Sequence, residues 1–169
     1  WGPGDYNGAL LMRVDNDLQP KVIQCDIHGA NGLAFSADRR WMYTSDTPNA
    51  VIYRTPLDEQ GEPGRREVFR RFQPGEGIPD GAAIDVEGCY WSAMFDGWRI
   101  ARFSPQGEEL ESYPMPVRCP TMVCFGGADM KTLYITTTRE NMEDDELAQY
   151  PLSGAIFTLP VAVAGMKKL

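Results

Sequence analysis

Short apolar runs, alternating or β-branched, recur between clusters of Gly, Pro and Asp: Ala9 to Val14, Trp41 to Thr44, Ala50 to Arg54, Tyr90 to Met94, Arg99 to Phe103, Leu133 to Thr137 and Ala155 to Leu159. A period of two turns one face of a strand inward and the other outward, and no stretch keeps a helical period for three turns. The pattern predicts an all-β chain.

The runs repeat as a group. NGLAFSADRRWMYTSDT from Asn31, DGAAIDVEGCYWSAMF from Asp80 and TMVCFGGADMKTLYITTT from Thr121 superpose an apolar strand, a polar turn and a second strand bearing aromatics. The repeats begin 49 and 41 residues apart, the period of a four-stranded propeller blade and too long for a leucine-rich or hexapeptide solenoid. Trp41, Tyr43, Trp91 and Tyr134 fall at repeat-equivalent strand positions and are expected in the core. Two further strands, around Leu10 and Val22, read as the outer half of an earlier blade, so the chain holds roughly three and a half blades. Because a propeller ring needs at least four, residues 1–169 are expected to form the C-terminal part of a single propeller domain. Its ring would be completed by some ~100 to 150 upstream residues, by another chain or by a second copy. The chain opens on Trp1 rather than Met and shows no signal peptide, which fits a sequence that has lost its natural start.

Composition narrows the class. The 43% hydrophobic and 24% charged content is that of a globular protein, and the longest apolar runs fall far short of a membrane span. Twenty-four acidic residues against sixteen basic give a net charge of −8, with the basic residues scattered, so nucleic acid is not an expected partner. Cys25, Cys89, Cys119 and Cys124 form no CxxC pair, and the single histidine, His28, is not spaced to complete a zinc site. Four reduced, mostly buried cysteines and a cytoplasmic location are expected. No serine sits in a nucleophile-elbow pattern with which His28 could form a triad.

Candidate chemistry comes from the repeat itself. In a blade the innermost strand runs along the central channel, so the residue that opens it lies at a channel mouth; Asn31, Asp80 and Thr121 occupy that place. All three carry side-chain oxygens, a donor type that suits a hard divalent cation such as calcium, magnesium or manganese. Asn and Asp before Gly are equally common turn formers, and the repeat alone leaves both readings open.

The same residues carry a resemblance. NGLAFSADRRWMYTSDT, IPDGAAIDVEGCYWSAMFDGWRIARFSPQGEEL, CPTMVCFGGADMKTLYITTTRE and the closing PLSGAIFTLPV resemble successive signatures of the SMP-30/gluconolactonase (regucalcin-like) family, in order and over nearly all of residues 8–165. The resemblance implies a six-bladed β-propeller that hydrolyses sugar lactones to aldonic acids. It also implies one divalent cation in the channel, drawn from calcium, zinc, magnesium, manganese and iron. The family's asparagine ligand falls on Asn31, and its aspartate, ligand and general base together, falls on Asp80. Its glutamate ligand and the arginine and asparagine of its substrate loop have no counterpart in these 169 residues. A small-molecule lactone is the expected partner; a non-enzymatic calcium-binding or protein-interaction propeller, and an esterase on the same scaffold, are the alternatives. Asp46 is expected to be a structural turn acceptor, His28 a solvated loop residue, Met94 core, and Trp98 a contact near a blade-top loop.

Overall fold

The computed structural model describes residues 8–167; the single unit expected over residues 1–169 is therefore seen without residues 1–7, Trp1 included, and 168–169. Four antiparallel sheets follow one another along the chain. β1 (Ala9–Val14) and β2 (Pro20–Ile27) form a two-stranded sheet. β3 (Ala30–Phe35), β4 (Trp41–Asp46), β5 (Val51–Pro56) and β6 (Glu67–Arg71) form a four-stranded meander. β7 (Ile78–Ile84), β8 (Tyr90–Phe95), β9 (Arg99–Phe103) and β10 (Glu109–Pro114) form a second. β11 (Pro120–Gly126), β12 (Thr132–Thr137) and β13 (Ile156–Pro160) make a three-stranded sheet, with one short helix, α1 (Asp144–Gln149), between its last two strands. The regular structure of the described residues is nearly all strand, in successive antiparallel sheets, as the all-β expectation has it.

The hairpin turns joining the first two strands of each repeat share one device. Asp38, Asp85 and Asp129 each accept a hydrogen bond from the backbone N–H two residues on, at 3.0, 2.9 and 3.0 Å. This is an Asx turn, and it falls in the polar turn of each repeat. In the second repeat the device is elaborated. Asp85, fully buried, also accepts from Cys89 N–H, Trp91 Nε1 and Arg102 Nε, and the Arg102 guanidinium reaches Glu87 and Glu111. Each lone-pair site of this buried carboxylate thus finds a donor in place of water.

The core lies between sheets rather than within one. Tyr43 meets Phe69 edge-on at 5.2 Å in its own sheet and Tyr90 of the next sheet at 5.3 Å. One sheet further on, Trp91 stacks on Tyr113 and meets Phe125 of the β11–β12–β13 sheet edge to face, both at 5.5 Å. Tyr43 and Trp91 are thus core as expected, and Trp41 packs at its margin beneath Arg54. Tyr134 corrects the expectation. It occupies the equivalent place on β12 but is 44% exposed, because among the described residues no further sheet follows the one that carries it. The cysteines need a correction as well: all four are free, but only Cys89 and Cys119 are buried, since Cys25 and Cys124 fall on outward positions of their strands.

Each innermost strand carries a β-bulge near its start. One extra residue is accommodated between Asn31 and Ala34 against β4, between Pro79 and Ala82 against β8, and between Pro120 and Met122 against β12. A bulge re-aims the side chains beside it. The glycines that follow the two polar residues serve a related purpose. Gly32 has φ +58°, and a Cβ there would overlap the Ser45 and Tyr90 hydroxyls and come 3.0 Å from the Asp80 carbonyl oxygen. A Cβ on Gly81 would overlap Met122 Sδ and come 2.7 Å from the Thr121 carbonyl oxygen. Neighbouring innermost strands therefore touch backbone to backbone at these two points.

Gly32→Ala is expected to cost about 2 to 4 kcal/mol, the sum of a left-handed alanine and a steric overlap. Gly61→Ala, also at positive φ but with nothing within 4 Å of its Cβ, should cost only about 1 kcal/mol. Denaturant unfolding of both variants checks the difference.

Candidate functional site

β3 and β7 lie side by side, and their bulges set Asn31 and Asp80 at the same end of the sheets, opposite the Asx turns. The surroundings of Asp80 differ from those of the three turn aspartates. Asp80 is half-buried, and its carboxylate accepts no hydrogen bond among the described residues. Burial pushes its pKa up to about 6, and the negative charge of Glu140, on the segment after β12, adds to the shift. A carboxylate without donors, partly stripped of water and near another carboxylate, is poised to take up positive charge, either a proton or a cation.

Asn31 is placed in the opposite way, with one half of its amide engaged. Its Nδ2 donates to Thr47 Oγ1 at 3.0 Å, and Oδ1 receives no hydrogen bond among the described residues. Thr47 Oγ1 in turn donates to the Pro79 carbonyl at 2.7 Å. Next to it, Ser45 Oγ donates to the Asp80 carbonyl at 3.0 Å, and Tyr90 OH donates to the Gly32 carbonyl at 2.8 Å. Three hydroxyls stitch the two innermost strands together around Asn31 and Asp80. Thr121 opens the third repeat as aligned, but its hydroxyl is paired with that of Thr136 at 2.8 Å.

The flanking residues sort themselves by their partners. Asp46 is 1% exposed and accepts from His28 N–H, Gly29 N–H and Asn49 Nδ2. This is the structural acceptor expected of it. His28 is exposed at the rim, with Nδ1 2.9 Å from Asn49 Nδ2. Met94 is fully buried, and Trp98 packs edge-on against Tyr150 at 4.8 Å near the helix. Arg118 clamps this corner by pairing with Glu146, at 2.6 Å, and with Asp96.

The oxygen donors present, an amide oxygen without a donor and a carboxylate without a donor, fit a hard cation. They make up an incomplete set, since no group of three or more His, Cys, Asp and Glu arranged to hold a metal occurs among the described residues. Sequence reasoning located both donors from the repeat but missed Ser45, Thr47, Tyr90 and Glu140. The hydroxyls of Ser45, in β4, and Thr47, just past its end, were the available signal. Glu140 gave none, because its proximity to Asp80 comes from the path of a loop.

Comparison with known proteins places these features in context. The model of the SMP-30/Gluconolactonase/LRE-like region matches residues 2–139. The chain is 55% identical over 166 residues to the 6-deoxy-6-sulfogluconolactonase of Pseudomonas putida, covering 98% of this chain and 57% of that protein. It is 33% identical over 169 residues to a pentonolactonase of Haloferax volcanii, covering 96% and 58%. The crystal structure of regucalcin from Agrobacterium tumefaciens, described as a calcium-binding protein, superposes with a TM-score of 0.84 at 31% identity over 88% of this chain and 51% of that one. The chain thus spans a little over half the length of each.

In the absence of divalent cations an ionised Asp80 weakens the fold. Its raised pKa means that the protonated form is favoured in the folded state, so stability falls as the pH rises from about 4 through about 6. In EDTA at pH 8, Asp80→Asn should therefore be more stable than the parent by about 1 kcal/mol, a value reduced by the solvent the group still meets. The gain should vanish below about pH 4, and thermal melts across that range measure it.

Proposed function

Since the chain belongs to the SMP-30/gluconolactonase/LRE-like family, we propose that it forms one side of a propeller that hydrolyses a sugar lactone to the aldonic acid. In this reading the remaining blades and a third, acidic metal ligand lie in the part of the ring outside this chain. The observation that carries the reading is Asp80, a half-buried carboxylate lifted to about 6 and accepting no hydrogen bond among the described residues, set beside an asparagine whose amide nitrogen alone is engaged. The lactonase names of the relatives from Pseudomonas putida and Haloferax volcanii support the reaction class.

Asn31, through Oδ1, and Asp80, through its carboxylate, would hold the divalent cation. When bound, the cation supplies positive charge toward the lactone carbonyl oxygen as negative charge develops there. Asp80 takes a proton from the water that attacks the carbonyl carbon; the bond from that carbon to the ring oxygen breaks, and the released alkoxide takes that proton back from Asp80 to become the hydroxyl. Even with no cation bound, a carboxyl of pKa about 6 is mostly ionised at neutral pH and thus able to accept a proton. The neutral amide of Asn31 would hold the cation without adding a second negative charge to this pair of donors, which would leave the cation more electrophilic.

Initial rates on gluconolactone, corrected for spontaneous hydrolysis and measured with the complete protein across a metal titration, test the assignment. Asp80→Asn keeps an oxygen but loses the proton acceptor, and turnover should drop about 10²-fold or more at saturating metal. Asn31→Ala removes a ligand and should be partly rescued by raising the cation concentration. Normal turnover by Asp80→Asn at saturating metal would remove the base role.

A further inference from the structure

The most informative unassigned group at this site is the Thr47 hydroxyl. It has a single proton, and that proton is committed: it points at the Pro79 carbonyl, 2.7 Å away, an atom that can only accept. The side of Thr47 Oγ1 that faces Asn31 can therefore only accept. Of the two ends of the Asn31 amide, only Nδ2 can donate, and Nδ2 lies 3.0 Å from Oγ1. The consequence is directional. With Nδ2 tied to Thr47, the planar amide carries Oδ1 on its other arm, away from Thr47 and free of the hydroxyl.

An amide has nearly the same shape either way round, so without such a partner Asn31 would populate both orientations and offer nitrogen to the cation part of the time. Thr47 can perform this selection because it is itself held. It opens a short turn, Thr47–Asn49, whose first N–H donates to the Gly29 carbonyl at 3.1 Å and whose Thr47 carbonyl accepts from Ala50 N–H at 3.0 Å. Just before it, the buried Asp46 anchors His28, Gly29 and Asn49 to the same turn.

We propose that Thr47 is a positioning residue for the cation site: it fixes the Asn31 amide with oxygen toward the cation and, through the Pro79 carbonyl, ties that choice to the strand that carries Asp80. The inference rests on the reading of Asn31 as a ligand, and its test separates the two. Calcium chloride and manganese chloride are titrated calorimetrically into the metal-free complete protein and its variants, with thermal stability in EDTA measured alongside. Thr47→Val, which keeps the shape and removes the hydroxyl, should weaken cation binding by roughly 10- to 100-fold, the usual effect of losing a partner that orients a ligand. Thr47→Ser should restore binding to within about threefold of the parent. The decisive arm replaces the amide by a group with two equivalent oxygens: in an Asn31→Asp background, adding Thr47→Val should change cation affinity by less than about threefold, because a carboxylate presents oxygen whichever way it turns. A merely structural Thr47 would impose the same loss in both backgrounds.

Equal losses in the two backgrounds, or a Thr47→Ser variant as weak as Thr47→Val, would overturn the positioning role and leave Asn31 a ligand. Undiminished binding by Thr47→Val would overturn it as well. A parent protein that binds neither calcium nor manganese would overturn the ligand reading and this inference with it.

Discussion

Everything at the candidate site depends on how closely two neighbouring innermost strands approach each other. At Gly32 and again at Gly81 the backbone of one sheet meets the backbone or side chains of the next with no room for a Cβ. That approach lets a hydroxyl on one sheet reach a carbonyl on the other, which gives the three bonds from Ser45, Thr47 and Tyr90. It also brings the aromatic layers of Tyr43, Phe69 and Tyr90 into contact. Local conformation, interface packing and donor placement are thus one constraint seen at three scales.

The all-β class, the repeat and most strand positions were readable because alternation and turn residues are local signals. Ala9–Val14 and Arg99–Phe103 coincide with the runs that announced them. Asn31 and Asp80 were readable because the repeat sets them at equivalent places. What could not be read was what surrounds them. The bulges arise from pairing with a second strand, the stitches from residues 32 to 58 positions away, and the proximity of Glu140 from a loop's path. Tyr134 shows the converse failure: its position in the repeat was right, but burial depends on a neighbour that the repeat does not specify.

Asp80 and Asp85 show why residue type alone could not decide between turn former and reactive group. They stand on the same strand's course, five positions apart, one near each end of its sheet. Asp85 is deeper, yet it is surrounded by two backbone N–H groups, an indole and a guanidinium. Asp80 is shallower and meets only repulsion and lost solvent. Donor supply, more than depth, separates a carboxylate that consolidates the fold from one held ready for an incoming charge.

The three stitches share one more property: each ends on a main-chain carbonyl, those of Pro79, Asp80 and Gly32. A carbonyl is supplied by every amino acid. So long as the bulge and its glycine persist, the receiving strand can change its side chains without loosening the seam. The placing of Asn31 relative to Asp80 is thereby carried by the polypeptide backbone of the receiving strand and not by the identity of its side chains.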